Sequence, residues 1–267
     1  MALPSIILLI SFVLGLGIAA YTGLEQAIPK HAVPSVYIIN GKEHHWTLWT
    51  HYPWEQALMT LSGAVAAGLG ALLHWRRFHV AITIAAAVGA LATFVLATVA
   101  AIRNEPLGDN PFIAPAALFC GLAVFCYAMW WDLSDRLRTT KRSDVAFWLH
   151  LVAAPLIAHP LFYWMGVTDG GSVGVLTAVG VLVIYVAFGL IALTVDRRAL
   201  LVSALAYVLI ALAQLFRNYG AIELSVALTA LLIGSALLGL SAWWQMIRRS
   251  LVGVLPSYAR IRLPPIT

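Results

Sequence analysis

Two histidines and two prolines lie within one apolar segment, Phe147 to Tyr163, which reads FWLHLVAAPLIAHPLFY. Ionisable side chains in such a segment are costly inside a membrane and usually face a protein interior or a cavity. His150 and His159 are nine residues apart. On a regular helix they therefore lie on opposite faces, about 13.5 Å apart along the axis. They cannot bind one metal ion together, but they could bind a small solute or relay protons.

The two prolines predict a kink or a break in this helix. Pro155 removes the hydrogen bond to the Leu151 carbonyl, and Pro160 frees the Leu156 carbonyl. Broken helices at mid-membrane depth often form binding sites, because freed carbonyls and helix ends point into a cavity. The segment therefore predicts a cavity lined by both histidines and both prolines. The alternative is a kinked packing helix whose histidines bond to neighbouring carbonyls.

A second group of polar residues follows the seventh apolar segment, in the sequence AQLFRNYGAIELS. Gln214, Arg217 and Glu223 lie near one end of the apolar segments, and Arg217 could pair with Glu223 across the turn. One interpretation is a polar outer vestibule leading to the cavity. The other is an ordinary interfacial end of two helices.

Four further histidines lie in the longest loop, Glu25 to Pro53, which contains EHHWTLWTHYPW. His44 and His45 are neighbours, so on a strand they point to opposite faces. His45 and His51 share a face but stand about 20 Å apart when extended. These residues and His31 are weak candidates for a metal site, and the alternative is an amphipathic cap at a membrane interface.

The composition indicates which elements position these residues. The chain is 62% hydrophobic and 10% charged, whereas soluble domains carry about 25% charged residues. The apolar residues form runs of about 20, the length of a membrane-spanning helix, and helices satisfy their own backbone hydrogen bonds in lipid. We expect an all-α integral membrane bundle of about eight spans in one domain, 1–267: Pro4–Leu24, Glu55–His74, His79–Ala101, Pro111–Trp131, Val145–Gly166, Ser172–Val195, Ala199–Phe216 and Ala221–Met246.

The basic residues predict the orientation of these spans. Of the 16 Lys and Arg residues, all but Lys30, Lys42, Arg103 and Arg217 lie in connections or the tail on one side. Positive residues stay cytoplasmic, so both termini are predicted to be cytoplasmic and the 25–53 loop extracytoplasmic. Basic residues grouped between apolar runs are topology signals, so we expect no nucleic-acid partner.

Two local patterns predict packing. Asn40–Gly41 separates the β-prone segments Ser35–Ile39 and Glu43–Trp49, which is a strong signal for a β-hairpin over 35–49. Small residues recur in the second and third spans, and such residues let membrane helices approach closely. We expect these two helices to form a tight antiparallel pair through a turn at Trp75–Phe78.

Several chemistries lack their sequence signals. The chain has no Walker A, HExxH or GxSxG motif, and no Asp, Glu, Lys or Arg lies deep in a predicted span. Cys120 and Cys126 are six residues apart and form no CxxC pair. These features favour a non-enzymatic role, and no cofactor is predicted.

The stretch SDVAFWLHLVAAPLIAHP, followed by DRRALLVSALAYV, resembles a group of uncharacterised bacterial inner-membrane proteins. The resemblance covers Trp131 to Arg249. It implies an all-helical, multi-pass fold in the bacterial inner membrane. Because that group carries no known activity, it transfers no functional residues.

Three functional hypotheses follow. The first is a transport-like role with a cavity at the fifth helix. The second is a non-catalytic accessory or assembly subunit of a larger membrane complex. The third is a membrane redox protein that binds a cofactor through its histidines. The expected partners are the lipid bilayer and other membrane subunits.

Overall fold

The computed structural model describes residues 2–39, 42–108, 110–168, 174–218, 234–235, 238–260 and 263. Within them the chain is mostly helical, with one two-stranded sheet. In chain order the elements are α1 Ala2–Ala27, β1 His31–Ile39, β2 Lys42–Thr50, α2 Pro53–Phe78, α3 Ile82–Arg103, α4 Ile113–Ser134, α5 Lys141–Trp164, α6 Val175–Val195, α7 Ala199–Asn218, α8 Trp244–Val254 and α9 Ser257–Arg260.

Six helices, α1 to α6, are long and apolar enough to cross a membrane. They coincide with the first six predicted spans, which supports a membrane protein. The seventh predicted span coincides with α7, of which Leu201–Leu212 is a shorter apolar helix. The eighth, Ala221–Met246, lies mostly outside the described residues. The predicted number of eight spans therefore stays a prediction.

Contacts divide the chain into two compact units, Met1–Ala116 and Ala117–Thr267. In the first unit, α1 packs on α2 through glycines. A Cβ atom added at Gly63 would lie 2.9 Å from the Gly17 carbonyl oxygen, and one at Gly70 would lie 2.5 Å from a Leu16 methyl group. At Gly17 and Gly63, only residues without a side chain allow the two backbones to approach this closely.

Helices α2 and α3 pack against each other, as the small residues predicted. Gly68 faces Ala90 across the interface, and the His74 ring lies 3.2 Å from the Thr83 hydroxyl. The predicted turn is wrong by a few residues, because Trp75–Phe78 is the last turn of α2. The chain reverses at 79–81, where His79 has a positive φ of 51° and donates its N–H to the Trp75 carbonyl. This is a common way to end a helix.

The β-hairpin prediction is confirmed and its strands are longer than expected. β1 and β2 pair antiparallel from Ile39 opposite Lys42 to His31 opposite Thr50. The last pair lies close to the start of α2, so the foot of the hairpin adjoins a predicted span.

The second unit is organised around α5. In the most apolar 18-residue stretch of α5, 56% of the residues are buried, whereas the share is at most 33% in each of the other candidate spans. Helix α4 crosses it at Gly121, where an added Cβ would lie 2.9 Å from the backbone of Leu156. At the end of α6, a cluster of Ala192, Leu193, Leu201 and Trp244 joins α6, α7 and α8. The functional side chains described below lie between these helices.

Candidate functional site

The two histidines of α5 have different surroundings. His150 is 2% exposed and lies beside α4. His159 is exposed, and its Nδ1 atom lies 2.8 Å from the Tyr207 hydroxyl of α7. The two histidines therefore lie on different faces of α5, as a regular helix requires. Of the two, only His150 belongs to a buried polar site.

His150 bonds to a buried carboxylate. Its Nε2–H donates to the Oδ2 atom of Asp132 at 3.0 Å, and Asp132 is 3% exposed. Asp132 lies in the last turn of α4, and the edge of the His150 ring meets the Phe125 ring at 5.1 Å between centroids. Because an ionised carboxylate only accepts hydrogen bonds, this contact fixes a proton on His150 Nε2.

The same carboxylate accepts bonds from Arg197, in the short turn between α6 and α7. The Arg197 Nη2 atom donates to Asp132 Oδ1 at 2.6 Å, and its Nε donates to Oδ2 at 3.2 Å. Arg197 also donates to the carbonyl and the hydroxyl of Ser143 in the first turn of α5, both at 3.1 Å. One guanidinium therefore links α4, α5 and the α6–α7 turn. Two-point bonds of this kind are strong and directional.

A second carboxylate, Asp196, lies next to Arg197 in the chain. It ends α6 with a positive φ of 59°, which Asp tolerates better than most residues. Arg138 donates to its Oδ2 at 2.7 Å, and the indole N–H of Trp244 donates to its Oδ1 at 2.8 Å. The fully buried Arg248 lies 3.8 Å from Oδ1 and donates to the Leu193 carbonyl. Asp196 thus joins the α4–α5 loop to α8.

A third carboxylate, Asp135, shapes the α4–α5 loop. The Thr140 hydroxyl donates to it at 2.7 Å, and the backbone N–H groups of Thr139 and Thr140 donate at 3.2 and 2.9 Å. The Thr140 hydroxyl and these amides hold the pKa of Asp135 below its ordinary value. Thr140 in turn caps α5 by accepting from the Arg142 N–H. The loop that carries Arg138 is therefore fixed in shape.

The charges of the Asp132 site balance when His150 is neutral. Arg197 is always charged, so with neutral His150 the two charges of Asp132 and Arg197 cancel. Histidine is the side chain that changes charge between about pH 5 and pH 8. A proton on His150 would place two cations on one buried carboxylate. We call Asp132, His150 and Arg197 the charge lock.

The structure does not show the predicted break in the fifth helix. α5 is continuous from Lys141 to Trp164 through both prolines. Pro160 is buried and Pro155 is exposed, and α4 packs against the segment between them at Gly121. Neighbouring helices can support a proline-containing helix in this way. Of three cavities in the described part of the chain, two lie among α1 to α3 and one lies between α7 and Trp244, and none of the three is lined by residues of α5.

The predicted outer vestibule is not described by the structure. Gln214 and Arg217 fall within the backbone range of α7, but their side chains lie outside the described part of the chain. Glu223 also lies outside the described residues. Their role stays a prediction.

The four loop histidines fall into two groups. His45 is exposed on β2, and His44 pairs with Tyr37 through the backbone, its side chain lying outside the described residues. His31 and His51 both approach Glu55 of α2, at 2.9 and 3.8 Å. Among the described residues, no group of three His, Cys, Asp or Glu side chains is placed to hold a metal ion.

Most of the charge lock is not evident from the sequence. Asp132 lies one residue beyond the predicted fourth span, and the position of Arg197 in a basic connection predicts only topology. Asp132 and Glu55 lie in the end turns of their helices, as expected for carboxylates, yet both side chains are buried. The usable signal was the run Asp196–Arg197–Arg198 between two apolar segments, because a carboxylate beside two arginines suggests paired rather than free charges.

No protein-family model, curated protein or solved structure matches this chain. The geometry of the charge lock is therefore the basis for a proposed function.

Proposed function

We propose that this protein is a multi-pass membrane transport protein for a small solute, in which proton binding at His150 operates the charge lock. The observation that carries the proposal is the sharing of the Asp132 carboxylate. One of its partners, Arg197, is permanently charged, and the other, His150, can gain a charge. Buried ionisable groups in membrane helices commonly mark ion pathways and proton relays.

The lock suggests how a proton changes the structure. In the structure, Arg197 donates hydrogen bonds to Asp132 of α4 and to Ser143 of α5, and so holds the α6–α7 turn to both helices. When His150 takes up a proton, its imidazolium competes with Arg197 for Asp132. Arg197 is the most exposed of the three, at 11% of its side chain, so it is the group that can leave for water. Its departure removes the bonds that hold the α6–α7 turn to Asp132 of α4 and Ser143 of α5.

The positions of the basic residues support an orientation for this movement. The α4–α5 and α6–α7 connections carry Arg136, Arg138, Lys141, Arg142, Arg197 and Arg198, and positive residues favour the cytoplasmic side. We therefore place the charge lock at the cytoplasmic end of a bacterial inner-membrane protein. In this orientation the lock controls access from the cytoplasm.

The test is solute-dependent proton movement in vesicles. The purified chain is reconstituted with a trapped pH-sensitive dye, and amino acids, sugars, carboxylic acids and organic cations are applied in turn. We expect at least one class to move protons in the wild type, and His150→Gln to abolish the signal. His159→Gln is the matched control, because His159 lies on the same helix outside the lock. A full signal in His150→Gln would contradict the proposal.

A second candidate function is supported by the hairpin. Val36 and Trp49 are more than half exposed on it, and among the described residues the sheet consists of these two strands, each with an outer edge. Such edges can accept a strand from another chain. This favours an accessory subunit of a membrane complex. Stoichiometric co-purification of another chain, lost on deletion of residues 32–49, would support this role over transport.

The redox hypothesis has less support. Asp132 bonds one ring nitrogen of His150, and Tyr207 contacts one ring nitrogen of His159. Each contact leaves the other ring nitrogen able to bind a cofactor, but the two histidines lie on opposite faces of α5, so they cannot serve one site together.

A further inference from the structure

His51, between β2 and α2, is a buried histidine without hydrogen bonds to its ring. It is 7% exposed, and neither ring nitrogen has a hydrogen-bond partner. The backbone around it is fixed, because the Gln56 side-chain amide donates to the His51 carbonyl at 3.0 Å. An unsatisfied polar group in the interior costs free energy, so its retention calls for an explanation.

The carboxylate of Glu55, which is 4% exposed, lies beside this ring. The Tyr52 N–H donates to Oε2 at 2.8 Å, and His31 Nε2–H donates to Oε1 at 2.9 Å. The His51 Nδ1 atom lies 3.8 Å from Oε2. That distance is too long for a hydrogen bond, but it is short enough for strong attraction if the ring becomes charged.

His31, His51 and Glu55 come from separate elements and meet where the open end of the hairpin adjoins α2. His31 begins β1 and stacks on the Tyr52 ring at 4.1 Å between centroids. His51 follows the last residue of β2, and Glu55 lies in the first turn of α2. The contact between both strand ends and α2 therefore depends on one carboxylate.

We propose that His31, His51 and Glu55 form a proton-binding site that fastens the hairpin to α2. With both histidines neutral, the buried group carries the single negative charge of Glu55. One proton on His51 creates an imidazolium beside Oε2, brings the group to zero net charge and gives Nδ1 a partner. Because the fastened form binds this proton more tightly, acidification favours it.

Among the described residues, other charged groups close to this end of the unit pair with each other. They form two separate ion pairs: Lys30 with Glu25 at 3.9 Å, and Arg103 with Glu105 at 3.7 Å. Arg and Lys keep their charge throughout the range in which histidine titrates. The expected response to pH in this range therefore comes from the pairing of His51 with Glu55, because His31 already donates to Glu55 while it is neutral.

Hydrogen exchange of the backbone amides of 31–50 tests this site. The full chain in lipid nanodiscs is measured at about pH 5.5 and about pH 8, with rates corrected for intrinsic exchange. We expect the wild-type hairpin to be at least about tenfold better protected at the acidic value. One linked proton changes the equilibrium between the two forms tenfold for each pH unit over which the proton is bound. His51→Gln should remove this difference. Wild-type protection that is equal at both values would overturn the proposal.

His45→Gln is the matched control. His45 Nε2 lies 3.8 Å from Glu43, the same distance as in the buried pair, but both side chains are more than two-thirds exposed. Water screens this pair, so the variant should keep the full pH response. Glu55→Gln removes the carboxylate and should also abolish the response. A pH response that persists in His51→Gln and in Glu55→Gln would contradict the site.

Discussion

The Nε2 atom of His150 lies 3.0 Å from the Oδ2 atom of Asp132, across the contact between α5 and α4. Both side chains are almost fully buried, and Arg197 holds the same carboxylate from the α6–α7 turn. A titratable group and a permanent cation thus share one acceptor. This relationship supports both the proposed response to protons and the following expectations for stability.

Breaking the Asp132–Arg197 pair should strongly destabilise the second unit. Asp132→Ala leaves the Arg197 guanidinium without its carboxylate, and losing one partner of a buried pair costs about 3–5 kcal/mol. The double variant Asp132→Asn with Arg197→Gln removes both charges. Its loss of stability should be smaller than the sum of the losses in the two single variants, Asp132→Asn and Arg197→Gln. Thermal unfolding in detergent, analysed as a double-mutant cycle, measures this coupling. Additive effects of the two changes would contradict the pairing.

Trp244 and Trp243 should respond differently to replacement by phenylalanine. Trp244→Phe keeps an aromatic ring but removes the N–H that donates to Asp196 at 2.8 Å. The loss of a hydrogen bond to a charged group costs about 1.5–3 kcal/mol. Trp243 is 60% exposed, so Trp243→Phe should change the unfolding midpoint little. Equal midpoints for the two variants would show that Asp196 does not depend on the indole.

The crossing of α4 over α5 should not tolerate a side chain at Gly121. An added Cβ would lie 2.8–2.9 Å from Ile157 and from the Leu156 backbone, and overpacking costs about 1–3 kcal/mol. Gly189→Ala is the control within the same unit, since its Cβ would meet Leu201 at an ordinary 3.5 Å. That change should be neutral or stabilise by up to about 1 kcal/mol through helix propensity. The midpoints of unfolding compare the two variants directly.

Asp135 should stabilise the α4–α5 loop except in acid. Its pKa is lowered in the folded chain by the Thr140 hydroxyl and backbone amides. The stabilisation is therefore present above the ordinary Asp pKa of about 4 and is lost as the pH falls through the lower folded value. Asp135→Asn should lower the unfolding midpoint near neutral pH and weaken its fall below about pH 4. Asp144→Asn, at an exposed position in the first turn of α5, should leave that acid response intact.

The helices and the hairpin could be predicted because they depend on local patterns. Apolar runs of membrane-spanning length located α1 to α6, and Asn40–Gly41 located the hairpin. The continuity of α5 could not be predicted, because it depends on how α4 packs at Gly121 rather than on Pro155 and Pro160 themselves. The prolines indicated a break only when α5 was considered alone.

The charge lock was only partly predictable for a similar reason. His150 is conspicuous in an apolar segment, but its partner Asp132 lies at the end of another helix, where a carboxylate is ordinarily solvated. Arg197 looked like a topology signal because side-chain direction is not visible in a charge count. Tertiary packing decides whether an interfacial charge points to water or inward.

The most direct test of the charge lock is a distance measurement between the elements it joins. Spin labels are placed at Leu133, next to Asp132 in α4, and at Val202 in α7, both exposed, after Cys120→Ala and Cys126→Ser remove the free thiols. We expect the label distance to increase from about pH 8 to about pH 5.5 as His150 is protonated and Arg197 leaves Asp132. In His150→Gln the distance should be the same at both values. An unchanged distance in the wild type, or the same increase in His150→Gln, would contradict a lock operated by His150.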